Sequence, residues 1–453
     1  MKLVYNIKDK PKFGQIIVFA FQQLLAILAA TIAVPSVVNS VTGSEMSQSA
    51  ALFGAGVGTI VYLLFTKFKS PVFLGSSFAF LPSMFAAFSG AVSAAAGYAG
   101  FILGAVFAGL VYVVIAIIVK FAGVSWINKL MPASVIGPTV AIIGLGLAGN
   151  AVKDAIGNSA GFTELNGSTF VMGAKGWVAF LCGLVTLFTV MICSVYGKKM
   201  AKLIPFIIGI LAGYGVATIF TLIGMKTGND NLTIIDWSAF SHMQWVPSFT
   251  FIEGIKGLKE IDASYIAMIA VAYAPVAFVV FAEHLADHKN LSTIIEQDLL
   301  EEPGLHRTLL GDGVGSIAGS FFGGCPNTTY GESIGCVAIT GNASVITIVA
   351  TAIMAIVASF VAPFVTFLST IPGCVMGGVC ITLYGFIAVS GLKMIQKVDL
   401  DDNTNLFTVS VILICGIGGM SVSFGKVTIT EVACALILGI LANLMLGKAD
   451  KKA

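Results

Sequence analysis

Most of the 22 acidic residues fall in loops, but two stand inside apolar runs, Glu283 and Glu332. Asp287 follows Glu283 by four residues, one helical turn further along the same face. An ionisable group at membrane depth marks a functional site by default. A carboxylate poised between burial and nearby hydrogen-bond donors can load and release a proton. It also accepts hydrogen bonds from ring N–H groups, which suits a planar heterocycle. Simpler readings compete: a snorkelling side chain for Glu283, a helix cap for Glu332, an interfacial charge for Asp287. Asp312 and Glu431 lie near the ends of apolar runs and read as interfacial.

Other chemistry is not indicated. Among the four histidines, His284 and His288 are four apart but sit at a predicted loop edge, and no pair offers convincing metal geometry. The eight cysteines lie in or beside apolar runs without a Cys-x-x-Cys pair and read as small buried hydrophobes. Gly311-Asp312-Gly313-Val314-Gly315 follows no strand and lacks the dinucleotide spacing, and there is no phosphate loop. No nucleophile–base set is suggested. The expectation is therefore no enzyme, no cofactor, no metal and, at a net charge of +2, no nucleic acid.

The elements that must carry these acids follow from composition. Of 453 residues, 57% are hydrophobic and 10% charged, with a mean hydropathy of +0.98. Soluble domains carry about 25% charged residues, so the chain reads as a polytopic all-α membrane protein. Fourteen apolar runs are predicted as transmembrane segments: 14–38, 48–66, 71–92, 96–120, 132–151, 176–197, 203–224, 263–284, 308–323, 325–340, 343–370, 373–392, 405–421 and 428–447. The first is too long for a signal-peptide core and reads as a retained span. With both termini cytoplasmic, 18 of the 24 basic residues fall on the inner side. The outer segments hold Lys153, Lys175, Lys226, Lys256, Lys259 and Lys426. That bias predicts an even number of spans with both termini inside; the expected location is the cytoplasmic (inner) membrane, multi-pass.

Spans 3 and 10 are irregular. One opens Pro71-Val72-Phe73-Leu74-Gly75-Ser76-Ser77, the other Cys325-Pro326-Asn327-Thr328-Thr329-Tyr330-Gly331. Each predicts a short extended strand before a short helix, and two such strands satisfy each other's backbone by antiparallel pairing. They stand seven spans apart. Seven is odd, so the two halves form a 7+7 inverted repeat, and paired interrupted segments in inverted halves point to a transporter's midplane site. Glycines spaced by four (Gly54 and Gly58; Gly209 and Gly213; Gly315, Gly319 and Gly323) predict close helix packing. Gly144, Gly146, Gly209, Gly213, Gly377 and Gly378 offer shallow faces against which a moving part is expected to slide.

With these motifs in view, the chain resembles the nucleobase–ascorbate transporter family (nucleobase:cation symporter-2), within it most closely the bacterial uracil permeases. The stretches that carry the resemblance are Leu74–Phe80, Ala282-Glu283-His284, Pro303-Gly304-Leu305-His306-Arg307, Pro326–Glu332 and Ala338-Ile339-Thr340. The resemblance implies a core domain (1–122, spans 1–4, and 226–371, outer loop and spans 8–11) that carries substrate. It implies a gate domain (123–225, spans 5–7, and 372–453, spans 12–14 with the tail) through which homodimers form. It implies substrate binding by Glu283, Glu332, Phe78, Gly331, Tyr330 and Ser333. Carboxylates one helical turn apart disfavour joint ionisation, so Glu283 and Asp287, with Glu332, are expected to handle a coupling proton. The implied function is proton-coupled nucleobase uptake, of uracil first. A xanthine or other purine symporter is the alternative, and an anion carrier or channel on the same fold a further one.

Four positions depart from the uracil-carrier pattern. Gln23 stands where histidine is common, and Asp287 where some uracil carriers have histidine and purine carriers an acid. Ser333 replaces a signature asparagine, and Gly341 replaces a frequent basic residue.

Overall fold

The computed structural model describes residues 3–123, 125–156, 162–165, 169–198, 200–424 and 427–447. Lys2, Lys199, Lys426, Lys448, Lys451 and Lys452, used in the charge reading, lie outside them.

The helices in chain order are α1 Phe13–Thr42, α2 Gln48–Phe65, α3 Leu81–Ser89, α4 Ala94–Ala122, α5 Ser125–Leu130, α6 Ala133–Gly146 and α7 Ala148–Ala155. They continue with α8 Ala174–Tyr196, α9 Met200–Leu203, α10 Pro205–Thr227, α11 Thr250–Gly257, α12 Ala263–Ile295 and α13 Leu305–Phe322. The last six are α14 Gly331–Thr340, α15 Val345–Ala358, α16 Ala362–Ser369, α17 Gly373–Ile395, α18 Asn403–Ile417 and α19 Glu431–Leu446. Six strands form three two-stranded antiparallel sheets: β1 Leu74–Ser76 with β4 Asn327–Thr329, β2 Phe162–Leu165 with β3 Thr169–Met172, and β5 Val422–Phe424 with β6 Val427–Ile429.

Among the described residues eight helical stretches are long and apolar enough to cross a membrane: α1, α2, α4, α6 with α7, α8, α10, α12 and α17. The predicted run 343–370 is two helices, α15 and α16, bent by 81°. Run 71–92 is a strand, a 3₁₀ turn over Phe78–Phe80 and the short α3. Run 263–284 is too short as predicted. Its helix begins with the Asp262 carboxylate accepting a 2.7 Å bond from the Tyr265 amide and continues to Ile295. Such a cap supplies a partner for one of the free N–H groups of the first turn, a contribution of about 1 kcal/mol. The extension is lined on one side by buried His284, His288, Leu291 and Ile295, so packing carries the helix past the end of the apolar run.

Two bundles result. In one, α2 and α4 flank α13, α4 packs on α11 and α12, and α15 packs on α1 and α2. In the other, α17 packs on α6, α7 and α8, α10 packs on α8, and α18 packs on α6 and α19. The first bundle holds α2 and α13 backbone to backbone. A Cβ on Gly58 would lie 2.8 Å from the Gly315 carbonyl oxygen, and one on Gly315 would lie 2.6 Å from that of Gly58. No other residue fits that crossing. The N-terminal segment is sewn to the same bundle, the Val4 amide donating to Gly341 and the Val345 amide to Ile7.

The expected sliding faces are placed differently. A Cβ on Gly144 would meet Tyr384 and Ala388 of α17, one on Gly209 or Gly213 would meet α8, and one on Gly377 or Gly378 would meet α7 or α8. These glycines let the helices of the second bundle approach one another rather than face the first bundle. Gly146 meets nothing within 4 Å.

Candidate functional site

The site is built on the β1–β4 pair. Leu74 stands opposite Thr329, Gly75 opposite Thr328 and Ser76 opposite Asn327. The pairing is prolonged at both ends, by Ser77 N–H to the Pro326 carbonyl at 2.9 Å and Tyr330 N–H to the Phe73 carbonyl at 3.3 Å. Outer edges are satisfied by neighbouring helices: the Leu74 amide donates to Thr59 of α2 at 2.9 Å, and the Asn327 amide to Ser316 of α13 at 2.7 Å. Extended backbone inside an apolar bundle persists only with such pairing. Each strand then turns into a helix, at Phe78 and at Gly331. The free N–H groups and positive dipole ends of both therefore border one place.

That place is a cavity of about 410 Å³ between the two bundles. Its first wall is formed by Ser76, Phe78 and Ala79, by Glu283, Ala286 and Asp287 of α12, and by Thr328, Thr329, Tyr330, Gly331 and Glu332. The opposite wall is mostly apolar: Ile136, Val140 and Ile143 of α6, Phe206 of α10, and Leu383, Phe386, Ile387, Ser390 and Met394 of α17. The rings of Phe78 and Tyr384 meet edge to face across the seam at 5.7 Å. Three carboxylates on one side and an apolar plate on the other suit a small flat molecule with polar edges, and the volume is in the range of small-molecule sites.

A family model described as Permease family (Xan_ur_permease) matches residues 14–424. The chain belongs to this permease family. It is thus a carrier rather than an enzyme. It is 37% identical to the uracil permease of Bacillus subtilis (strain 168), covering 100% of this chain and 97% of that protein. It is 38% identical to the uracil permease of Bacillus caldolyticus, covering 98% and 95%. It is 33% identical to that of Escherichia coli (strain K12), covering 97% and 93%. In fold it is similar to the transmembrane domain of a cyanobacterium bicarbonate transporter, with a TM-score of 0.63 at 15% identity over 97% of this chain and 100% of that one. It is also similar to a murine Solute Carrier 26 family member A9 anion transporter in the inward-facing state, with a TM-score of 0.68 at 12% identity over 98% and 69%.

Of the residues singled out from the permease sequence, Glu283, Asp287, Glu332, Phe78, Tyr330 and Gly331 all line the cavity. Asp287 accepts a 2.6 Å bond from the Thr329 hydroxyl. The Tyr330 hydroxyl is turned into the bundle, donating to the Ser76 carbonyl at 3.0 Å with Thr31 Oγ1 at 3.5 Å. Ser333 does not line the cavity. It is fully buried one residue behind Glu332, where its hydroxyl accepts from the Phe73 amide at 3.2 Å and from the Gln23 side chain at 2.5 Å. A helix turns 100° per residue, which carries Ser333 away from the face that Glu332 presents. Gln23, set apart as a departure on α1, thus braces the start of α14.

Two sequence expectations are corrected on the far side of α12. Asp312 is not interfacial: it is 1% exposed, and its Oδ2 lies 2.7 Å from Nδ1 of His284. His284 and His288 are not at a loop edge but wholly buried, because α12 runs eleven residues beyond the predicted end of its span. Sequence reasoning also missed the α6, α10 and α17 residues that form the apolar wall. They look like any lipid-facing or packing residue, and only Ser390, a hydroxyl in an apolar run, carried a signal.

Proposed function

We propose that the permease is a secondary active carrier that takes up uracil across the cytoplasmic membrane with protons as the coupling ion. The observation that carries this reading is the convergence of Glu283, Asp287 and Glu332 on one wall of a cavity closed by an apolar wall from the other bundle. Glu283 and Glu332 accept the ring N–H groups of the base. The backbone N–H groups at Phe78 and Gly331 serve its carbonyl oxygens, and Tyr330 packs beside it. Glu283, Asp287 and Glu332 share the coupling proton, because crowded carboxylates disfavour joint ionisation. The likeness over nearly the full length to uracil permeases supports uracil as the cargo.

In this reading the fourteen segments form a 7+7 inverted repeat with both termini cytoplasmic. The first bundle (1–122 and 226–371) is a core that carries cargo, and the second (123–225 and 372–453) is a gate through which two copies pair. The core moves against the gate as a rigid body around a fixed site. The cavity borders the half of α17 that carries Lys393 in its last turn and leads into Lys397, both of which this orientation places on the inner side.

Uptake of radiolabelled uracil and xanthine into proteoliposomes tests the proposal, with an imposed pH gradient, a sodium gradient, or neither. Uracil accumulation that follows the proton gradient is expected. Preferential xanthine uptake would move the cargo to the purine alternative, for which the acid at Asp287 is the relevant feature. Uracil accumulation that ignores the pH gradient would remove proton coupling.

A further inference from the structure

We propose that His284, His288, Asp312 and Tyr62 are positioning residues that set the rotation of α12 and so aim Glu283 and Asp287 into the cavity. The inference rests on the reading of those two acids as cargo- and ion-binding groups. None of the four lines the cavity. His284 and His288 lie one turn apart on one stripe of the helix, and Glu283 and Asp287 lie one turn apart on the adjacent stripe, about 100° away. Whatever fixes the first stripe fixes the second.

Every ring nitrogen of the first stripe has a partner, and three of the four partners lie on other helices. His284 Nδ1 is 2.7 Å from Asp312 Oδ2 and its Nε2 is 2.9 Å from Thr308 Oγ1, both on α13. His288 Nδ1 is 2.8 Å from the His284 carbonyl oxygen, and its Nε2 is 2.7 Å from the Tyr62 hydroxyl on α2. Tyr62 is in turn 2.7 Å from Ser70 Oγ. A carbonyl only accepts, so the neutral His288 ring carries its proton on Nδ1 and takes the Tyr62 hydroxyl proton at Nε2. The two imidazoles stack with centroids 4.0 Å apart. Both histidines and Tyr62 are 0% exposed, so no water replaces a lost partner, and an unmade bond there carries the full desolvation penalty. Side-chain tips lie about 5–6 Å from a helix axis, so a turn of about 20° moves them about 2 Å, beyond hydrogen-bond range. Apolar packing is non-directional; these directional bonds to two separate helices add a fixed orientation to it.

The test combines Tyr62→Phe, which removes one hydroxyl and keeps the ring, with Asp312→Leu and the conservative Asp312→Asn, whose amide oxygen still accepts from His284. Each is placed in a background carrying either Ala286→Cys, at the cavity, or Leu285→Cys, outside its lining. Alkylation by a water-soluble maleimide is read residue by residue by mass spectrometry, so the eight native cysteines do not interfere. Thermal melting confirms folding, and uracil titration reports affinity.

Expected are at least a threefold fall in labelling at position 286 relative to 285 in Tyr62→Phe, and at least a threefold loss of uracil affinity. Larger changes are expected in Asp312→Leu, with near-normal behaviour in Asp312→Asn. If Asp312→Leu does not fold, Tyr62→Phe decides. A folded Tyr62→Phe with unchanged labelling and affinity overturns the proposal, as does an Asp312→Asn as defective as Asp312→Leu. The labelling arm needs no cargo, so a wild-type protein that fails to bind uracil would remove the transport reading without touching the rotation result.

Discussion

Thr329 and Asp287, 42 residues apart in sequence, are joined by a 2.6 Å bond from the threonine hydroxyl to the carboxylate. This contact ties strand β4, which leads directly into Glu332, to the turn of α12 that carries Glu283. Asp287 is thus joined to the strand that leads into Glu332. Thr329→Val keeps the shape and removes the donor. A hydrogen bond to a charged group contributes about 1.5–3 kcal/mol, so uracil affinity should fall roughly ten- to a hundredfold. Isothermal titration of the purified variant measures it, and wild-type affinity would show that the bond is incidental to binding.

Glu332→Gln should impair uracil binding and leave the melting temperature near that of the parent. An amide loses acceptor capacity toward ring N–H groups, and a charge-assisted bond of about 1.5–3 kcal/mol is lost. Glu332 starts a helix rather than filling a core position, so little packing changes. Calorimetric titration beside a thermal melt separates the two effects; unaltered affinity would exclude Glu332 as a cargo ligand.

Gly58→Ala should destabilise the core bundle. Its new methyl group would collide with the Asn327 side-chain nitrogen and sit 2.8 Å from the Gly315 carbonyl oxygen. Overpacking of this kind costs about 1–3 kcal/mol. Gly146→Ala, with nothing within 4 Å, is the matched control and should melt at the wild-type temperature. Equal melting of the two variants in detergent would mean that the α2–α13 crossing relaxes freely.

Ser40→Cys with Asp154→Cys should trap the protein in one state. Ser40 lies in the last turn of α1 of the first bundle and Asp154 in the last turn of α7 of the second, and the serine hydroxyl donates to the carboxylate at 3.3 Å. The contact lies near Gly377, in the N-terminal half of α17, whereas the cavity borders the C-terminal half. A disulfide there would close one end of the seam and leave the cavity reachable from the other. Oxidation should abolish uptake, a reductant should restore it, and uracil binding should persist throughout. Full uptake with the crosslink verified by mass spectrometry would exclude relative motion at that seam.

What could be read from the chain alone, and what could not, divides by the range of the interactions involved. Apolar runs announce membrane helices because lipid leaves the backbone no partner but itself, and Pro71, Gly75, Pro326 and Gly331 announce where that rule is broken. Carboxylates in such runs stand out for the same reason, so Glu283 and Glu332, with Asp287 one turn beyond, were legible as candidates, and all three line one cavity; the motifs around them were legible as those of a permease. The glycine spacing on α2 and α13 was legible as close packing, but the partners of Gly144, Gly209 and Gly377 were not, since small residues serve any near neighbour alike. Which way a residue faces behind the first wall was also closed to sequence reasoning. Ser333 turns to Phe73 and Gln23 because one residue of helix is a 100° rotation. Asp312 leaves the interface because His284, 28 residues earlier, waits for it in the core. Composition and periodicity are properties of one segment and survive in the sequence. The rotation of α12, the apolar wall on α17 and the volume between the bundles are relations between segments, and only packing in three dimensions decides them.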